Sequence, residues 1–296
     1  MDPMRLFVTG GSGFLGSFVV RRALSDGHQV LALARSEKAA ATLTGLGAEP
    51  VAGDLDDLRS VDDAFAHAAD QGAETLLNLA SLGFGHAPVV VAAAEEAGMT
   101  RAVFVSTTAV ATALPAPSKQ VRLAAEEVIR DSGLDWTMIR PTMIYGAPGD
   151  RNIARLLALL RHSPVIFVPG GGERLQQPVH VDDLAAALLA AATCPKAIGR
   201  VYDVAGPEPL TFRQLLVEAS QAVGRGPRLV PVPLRPSLWA LGLYEKAVTR
   251  PRLKVEQLER LAEDKAFDIT AAVEDLGYRP RAFRTGVREE ARALWT

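Results

Sequence analysis

The run Leu6-Phe7-Val8-Thr9-Gly10-Gly11-Ser12-Gly13-Phe14-Leu15-Gly16 constrains this chain more than any other stretch. Three apolar residues read as a buried strand, and Gly10, Gly13 and Gly16 follow at intervals of three. Helical periodicity comes next, with Phe14, Phe18, Val19 and Ala23 on one side, and then a second strand-like run at 29–34. In a strand–glycine–helix corner, free N–H groups and the helix dipole stabilise a diphosphate that bare backbone allows to come close. A glycine-rich turn of purely structural use would explain the glycines but not their setting between strand and helix.

Strand-like runs recur at 6–9, 29–34, 49–52, 75–80, 102–106 and 136–140, separated by helical patterns at 13–24, 37–46, 61–69, 88–97 and 119–131. Apolar strands joined by helices imply an α/β fold with a doubly wound parallel sheet of the Rossmann type. Ser36 and Ser60 read as helix N-caps, and Gly27, Gly98 and Gly133 stand where helices should stop. The second half is less regular. It reads as a helix at 150–161, a strand at 165–168, an alanine-rich helix at 182–193, a strand at 200–205 and a helix at 212–223. Four prolines in 227–236 suggest an extended segment that ends the compact core, followed by short helices at 237–247, 254–263, 271–276 and 286–295. The expected division is a dinucleotide-binding domain over 1–165, to which strand 200–205 returns, and a smaller, mostly helical substrate lobe over 166–296.

With 296 residues, 48% of them hydrophobic, a sizeable core is available. A net charge of −2 with both signs dispersed offers no footprint for nucleic acid. Cys194 is the only cysteine, so no internal disulfide forms, and a reducing, cytoplasmic setting is expected. No apolar run reaches the ~18 residues of a membrane span. The glycine corner follows the first strand directly, so no signal peptide is expected. His, Cys, Asp and Glu show no metal-ligand spacing.

Dinucleotide folds place an acidic residue about twenty positions past the glycines to hold the ribose 2′-hydroxyl. Here the second strand ends at Ala34-Arg35-Ser36, and Glu37 is the next carboxylate. Arg35 would meet a 2′-phosphate through a charge-assisted contact, with Ser36 adding a hydroxyl, which favours NADP(H) over NAD(H). The alternative is a solvated loop arginine. Asp54, in Gly53-Asp54-Leu55, can accept from an adenine amino group or can serve as a turn residue. Asn78-Leu79-Ala80-Ser81 closes the fourth strand with small residues that leave room for a cofactor.

These landmarks resemble the extended short-chain dehydrogenase/reductase superfamily, in its epimerase/dehydratase-like branch. Thr9–Gly16 fits its TGxxGxxG loop. Gly53-Asp54-Leu55, Asn78-Leu79-Ala80, Ser106-Thr107, Arg140-Pro141-Thr142 with Tyr145-Gly146, His180-Val181-Asp182-Asp183 and Leu276-Gly277-Tyr278-Arg279-Pro280 follow in the family's order. The resemblance implies cofactor contacts from Thr9, Gly10, Ser12, Gly13, Phe14, Leu15, Gly16, Leu55, Asn78, Leu79, Ala80, Pro141 and Thr142. It also implies that Thr107 holds the substrate oxygen.

One departure matters more than the match. The family carries tyrosine, three variable residues and lysine at the start of the helix before the sixth strand. This helix begins Ala116-Pro117-Ser118-Lys119-Gln120-Val121-Arg122. One register puts Ser118 at the tyrosine position and Arg122 at the lysine position, whereas the other uses Lys119 and gives Pro115. Neither has a phenol. Arginine stays protonated and cannot shuttle protons, and a serine hydroxyl is a poor acid without help. Tyr145 or His86 is then a candidate relocated acid, and Ser81, His86 and Arg174 are candidate substrate contacts, although His86 and Arg174 also read as solvated surface residues. Asp182 and Asp183 read as helix caps. Two functions are expected of such a chain. One is an NADP(H)-dependent oxidoreductase or epimerase acting on a small carbonyl or nucleotide-sugar-like molecule. The other is an NADP(H)-binding sensor or scaffold of little activity. Alanine-rich faces of helices 88–97 and 119–131, which pair in many relatives, permit a homodimer or a monomer.

Overall fold

The structure, a computed structural model, describes residues 3–114, 117–248, 255–261 and 263–295. Pro115, the alternative tyrosine position, and Lys254, the start of an expected helix, lie outside the described residues. The chain opens with β1 (Arg5–Thr9), α1 (Phe14–Ser25), β2 (Gln29–Ala34), α2 (Glu37–Leu46), β3 (Glu49–Ala52) and α3 (Leu58–Asp70). It continues with β4 (Thr75–Asn78), α4 (Ala87–Glu96), β5 (Arg101–Val105), α5 (Pro117–Arg130) and β6 (Asp135–Pro141). Then come β7 (Ile144–Tyr145), α6 (Ile153–His162), β8 (Val165–Pro169), β9 (Leu175–Gln176), β10 (Val179–His180), α7 (Val181–Thr193) and β11 (Arg200–Val204). The last elements are β12 (Leu210–Thr211), α8 (Phe212–Ala222), β13 (Arg228–Val232), α9 (Leu234–Ala247), α10 (Val255–Leu261), α11 (Thr270–Leu276) and α12 (Phe283–Trp295).

Two compact units result, and the chain passes between them more than once. The first takes in residues 1–141, 181–204 and 269–279, and the second 142–180, 205–268 and 280–296. Among the described residues, the first unit holds a seven-stranded parallel sheet in the order β11-β6-β5-β4-β1-β2-β3. The sheet is the doubly wound one the sequence predicts, and the strand expected at 200–205 is its edge strand beside β6. Strand order reverses between β1 and β4, and crevices at such reversals, beyond the carboxyl ends of the strands, are where ligands settle in open α/β sheets.

Local chemistry explains the elements. Val19, Val20 and Ala23 bury one side of α1. The Ser36 hydroxyl caps α2 by accepting from Ala39 N–H at 3.2 Å. Ser60 does not cap α3. Asp57 does, accepting from Arg59 N–H at 3.2 Å, because three residues of helix precede the first buried apolar position, Val61. Ser60 instead donates and accepts across the Asp54–Asp57 turn. On one face of the sheet, Phe7, Phe65, Leu76, Val90, Phe104, Ile129 and Met138 belong to a single buried cluster, with Phe7 edge-on to Phe65 at 4.9 Å.

The ends of β5 and β6 are tied to α5 by a buried charge. Glu126 is fully buried and accepts from Ser106 Oγ at 2.7 Å, Arg140 Nε at 2.9 Å and Arg130 at 2.9 Å. Burial alone would raise its carboxyl pKa, but the hydrogen bonds from Arg140 and Ser106 and the charge of Arg140 outweigh that and hold it below the usual range.

The second unit is built from two-stranded pairs and helices. β7 pairs with β10 and β8 with β13, both parallel, while β9 pairs antiparallel with β12. The proline-rich 227–236 segment does not end the ordered core. It supplies β13, and α9 begins within it at Leu234. Tyr145, Ile153, Leu157, Val168, Leu215, Phe283 and Val287 form the core of this unit. Beside that core, Asp150 accepts N–H groups of Asn152, Ile153 and Ala154 at 2.7–3.0 Å at the start of α6. Glu290 on α12 is fully buried, and burial, reinforced by the charge of Asp150, pushes its carboxyl pKa up to about 8.

Two consequences can be measured. Glu290 is held neutral in the fold at a pH where the unfolded chain ionises it. Its contribution is therefore complete below the ordinary glutamate pKa, is lost as pH rises toward 8 and is constant above that. The thermal midpoint should fall across that window, and Glu290→Gln should flatten the fall and raise the midpoint at pH 8. Glu126→Ala leaves the Arg140 cation half-buried without its partner, and chemical denaturation should show a loss of about 3–5 kcal/mol.

Candidate functional site

The carboxyl ends of β1 and β4 are locked together. Thr9, fully buried, donates from Oγ1 to Asn78 Oδ1 at 2.6 Å, and Asn78 donates onward to the Ala80 carbonyl at 3.3 Å. The Thr9 carbonyl accepts from Leu79 N–H at 3.1 Å. Gly10 has φ of 70°, and a Cβ there would stand 2.8 Å from Ala80 N and 2.9 Å from Leu79 C. No larger residue fits. A Cβ on Gly16 would overlap the Gly10 carbonyl oxygen and crowd Gly11 at 2.7 Å, so the first turn of α1 presses on the loop that leads into it.

Ser12 and Gly13 are exposed on top of this corner, with Phe14 and Leu15 half-buried. Gly13 is the N-cap of α1 and contributes no side-chain cap, so the helix start presents backbone N–H groups and the positive end of its dipole. A cradle of bare backbone at a helix N-terminus fits a dinucleotide diphosphate.

The neighbouring strand ends supply polar groups. Arg35 is exposed immediately after β2, while Ser36 is engaged as the α2 cap. Asp54 is half-buried after β3 and accepts Asp56 N–H at 3.2 Å, a turn contact, with Leu55 half-buried beside it. After β4, Ser81 is exposed and caps a short 3₁₀ turn by accepting from Gly83 N–H at 3.3 Å. His86 is paired through Nε2 with Asp56 Oδ1 at 2.8 Å, while its Nδ1 is buried, so neither ring nitrogen faces solvent as a free donor. Phe84, on the same turn, is 75% exposed.

Thr107 begins the turn after β5 and accepts Ala109 N–H at 3.2 Å. Lys119 donates to the Thr112 carbonyl at 2.5 Å, which binds this turn to α5. Arg122 donates from Nη1 to Ser118 Oγ at 2.7 Å. The guanidinium is also close to the turn after β4, since a Cβ on Gly83 would come within 2.9 Å of its Nη2. The first unit thus brings together Ser118 and Arg122, ties Lys119 to the turn that follows Thr107, and sets the Gly83–His86 turn against α5.

The remaining candidates belong to the second unit, apart from Pro141, which ends β6 and accepts from Thr108 Oγ1 at 3.2 Å. Thr142 donates to the Gln177 carbonyl at 2.5 Å. Tyr145 is fully buried, edge-on to His180 at 5.3 Å and tilted on Phe283 at 5.1 Å, and a Cβ on Gly286 would overlap its phenolic oxygen. A phenol packed in this way cannot reach a substrate in this arrangement. Arg174 is ion-paired with Asp264 at 2.9 Å.

Sequence reading missed three participants. Asp56 as the partner of His86 and Glu126 as the anchor of Ser106 are non-local pairs without a spacing signal. Gly83 was legible only as a loop glycine, although its missing side chain makes room for Arg122.

A family model described as NAD(P)H-binding matches residues 10–195. A 4-hydroxy-2-methyl-3-oxo-4-farnesyl-3,4-dihydroquinoline-1-oxide ketoreductase of Stigmatella aurantiaca is 28% identical, over 89% of this chain and 90% of that protein. A 2-alkyl-3-oxoalkanoate reductase of Stenotrophomonas maltophilia is 28% identical, over 94% and 95%. In fold the chain is similar to Thermus thermophilus UDP-glucose 4-epimerase in complex with NAD, with a TM-score of 0.72 and 21% identity over 98% and 99% of the two chains. Among the described residues no helix is long and apolar enough to cross a membrane. With a glycine corner open at the β1–β4 reversal and the family model covering most of the sheet, this chain belongs to the NAD(P)H-binding family.

Proposed function

We infer that the protein is an NADPH-dependent reductase of a carbonyl compound. The observation that carries this reading is the bare-backbone corner at the β1–β4 reversal, flanked by the exposed Arg35 where a carboxylate would serve NAD(H). In this reading Thr9, Gly10, Ser12, Gly13, Phe14, Leu15 and Gly16 form the diphosphate corner. Thr9 shapes it through Asn78 and does not itself touch the cofactor. Arg35 and Ser36 meet the 2′-phosphate, Asp54 and Leu55 the adenine, and Asn78, Leu79, Ala80, Pro141 and Thr142 line the rest. Ser81 and His86 are proposed as substrate contacts and Thr107 as the hydroxyl that receives the substrate oxygen. The bound nicotinamide supplies hydride, and the chain's own groups orient the acceptor carbon and supply the proton.

Both curated relatives described above are named for reducing a 3-oxo group on a molecule with an alkyl or farnesyl substituent. That favours a 3-oxo compound with an apolar substituent as substrate over a nucleotide sugar. The test is NADPH oxidation by the purified chain against a panel of 2-alkyl-3-oxoalkanoates, simple ketones and nucleotide sugars. Turnover of a 3-oxo compound is expected, and absence of turnover throughout the panel despite NADPH binding would overturn the reading. Arg35→Ala should weaken NADPH binding by about 10–100-fold and leave NADH binding unchanged, since a charge-assisted pair is worth ~1.5–3 kcal/mol. Fluorescence titration with both dinucleotides checks it.

A further inference from the structure

Ser118 is the second residue of α5, and a serine there lacks the usual intrahelical carbonyl four positions back, because residue 114 precedes the helix. Its Oγ accepts from Arg122 Nη1 at 2.7 Å. A guanidinium only donates, so the serine hydroxyl hydrogen must point away from Arg122. Among the described residues no acceptor takes it. Gly83 leaves the space that lets the turn after β4 back the guanidinium. Lys119, the other cation of this helix face, is spent on the Thr112 carbonyl, and Tyr145 is sealed in its own core.

The geometry points to a Ser118–Arg122 relay as the proton-delivering group of the reductase, an inference that rests on the function proposed above. The serine hydroxyl donates to the substrate carbonyl oxygen. As hydride reaches the carbonyl carbon from the reduced nicotinamide, the π pair moves onto oxygen, the Ser118 O–H bond breaks and the alcohol O–H bond forms. The serine oxyanion left behind stays hydrogen-bonded to Arg122, and a water molecule returns a proton to it as its O–H bond breaks, releasing hydroxide to bulk solvent. One hydride and one proton have then been added to the carbonyl. An alkoxide from a simple ketone is at least as basic as a serine oxyanion, so the transfer is not uphill, and the adjacent permanent cation favours it. Ser118 would be the catalytic residue and Arg122 its positioning residue.

The relay contains no group that titrates between about pH 6 and 9, because arginine stays protonated throughout. The wild-type kcat for a 3-oxo substrate should therefore be flat across that range. Ser118→Ala should lower kcat about 100-fold with NADPH affinity and thermal midpoint unchanged, and Ser118→Thr should restore most of the loss. Arg122→Gln should lower kcat and leave KM nearly constant. A Ser118→Ala protein with wild-type kcat overturns the relay and leaves the reductase reading intact. So does a wild-type kcat that changes with pH between about 6 and 9, since the relay holds no group that titrates there. Binding of NADPH without any turnover overturns both the relay and the reductase reading but not the cofactor site. Failure to bind either dinucleotide overturns all three.

Discussion

Backbone contact between the ends of β1 and β4 decides what the rest of the first unit can do. Gly10 lies so close to Leu79 and Ala80 that a methyl group would part the strands, and a Cβ on Gly16 would overlap the Gly10 carbonyl oxygen from the helix side. Thr9 and Asn78 close the same junction from beneath with a buried hydrogen bond. With both side chains consumed in holding the strands, the upper surface of the corner is left to bare backbone at Gly13, beside the exposed Ser12. Structure and chemistry coincide there: the residues that permit tight packing are also those that leave N–H groups for an anion.

A second network ties the ends of β5 and β6 to α5. Glu126 gathers Ser106, Arg130 and Arg140, so the carboxyl ends of β5 and β6 move with α5 as one body. Lys119 extends that body to the turn after Thr107. Ser118 and Arg122 therefore sit on a helix whose position is fixed by a buried charge network, which is the kind of support the proposed relay would need.

Much of this was legible in the amino-acid order. Strands of the first unit are short apolar runs between helical periods, and their termini fell within a few residues of the observed ones because Gly27 and Ser36 punctuate them chemically. α3 starts earlier than Ser60 suggested, since Asp57 competes for the same role and wins by position. The small strand pairs of the second unit were mostly illegible. Two-residue strands such as β7 and β10 carry no periodicity, and β13 is masked by prolines that normally argue against a strand. Tyr145 looked available as an acid because its burial depends on His180, Phe283 and Gly286, all remote in sequence. The Ser118–Arg122 bond, by contrast, joins positions four apart on one helix and was foreseeable from spacing.

The most direct test of this account is calorimetric titration of NADPH into the intact chain and into Gly13→Ala. A Cβ at Gly13 would meet only the Gly10 carbonyl oxygen, at 3.2 Å, so the variant should fold with a nearly unchanged thermal midpoint. Its methyl group would occupy the exposed backbone surface proposed to hold the diphosphate. Binding to the natural chain and at least a tenfold weaker affinity in a folded Gly13→Ala are expected. Equal affinities, or no binding to the natural chain, would contradict it.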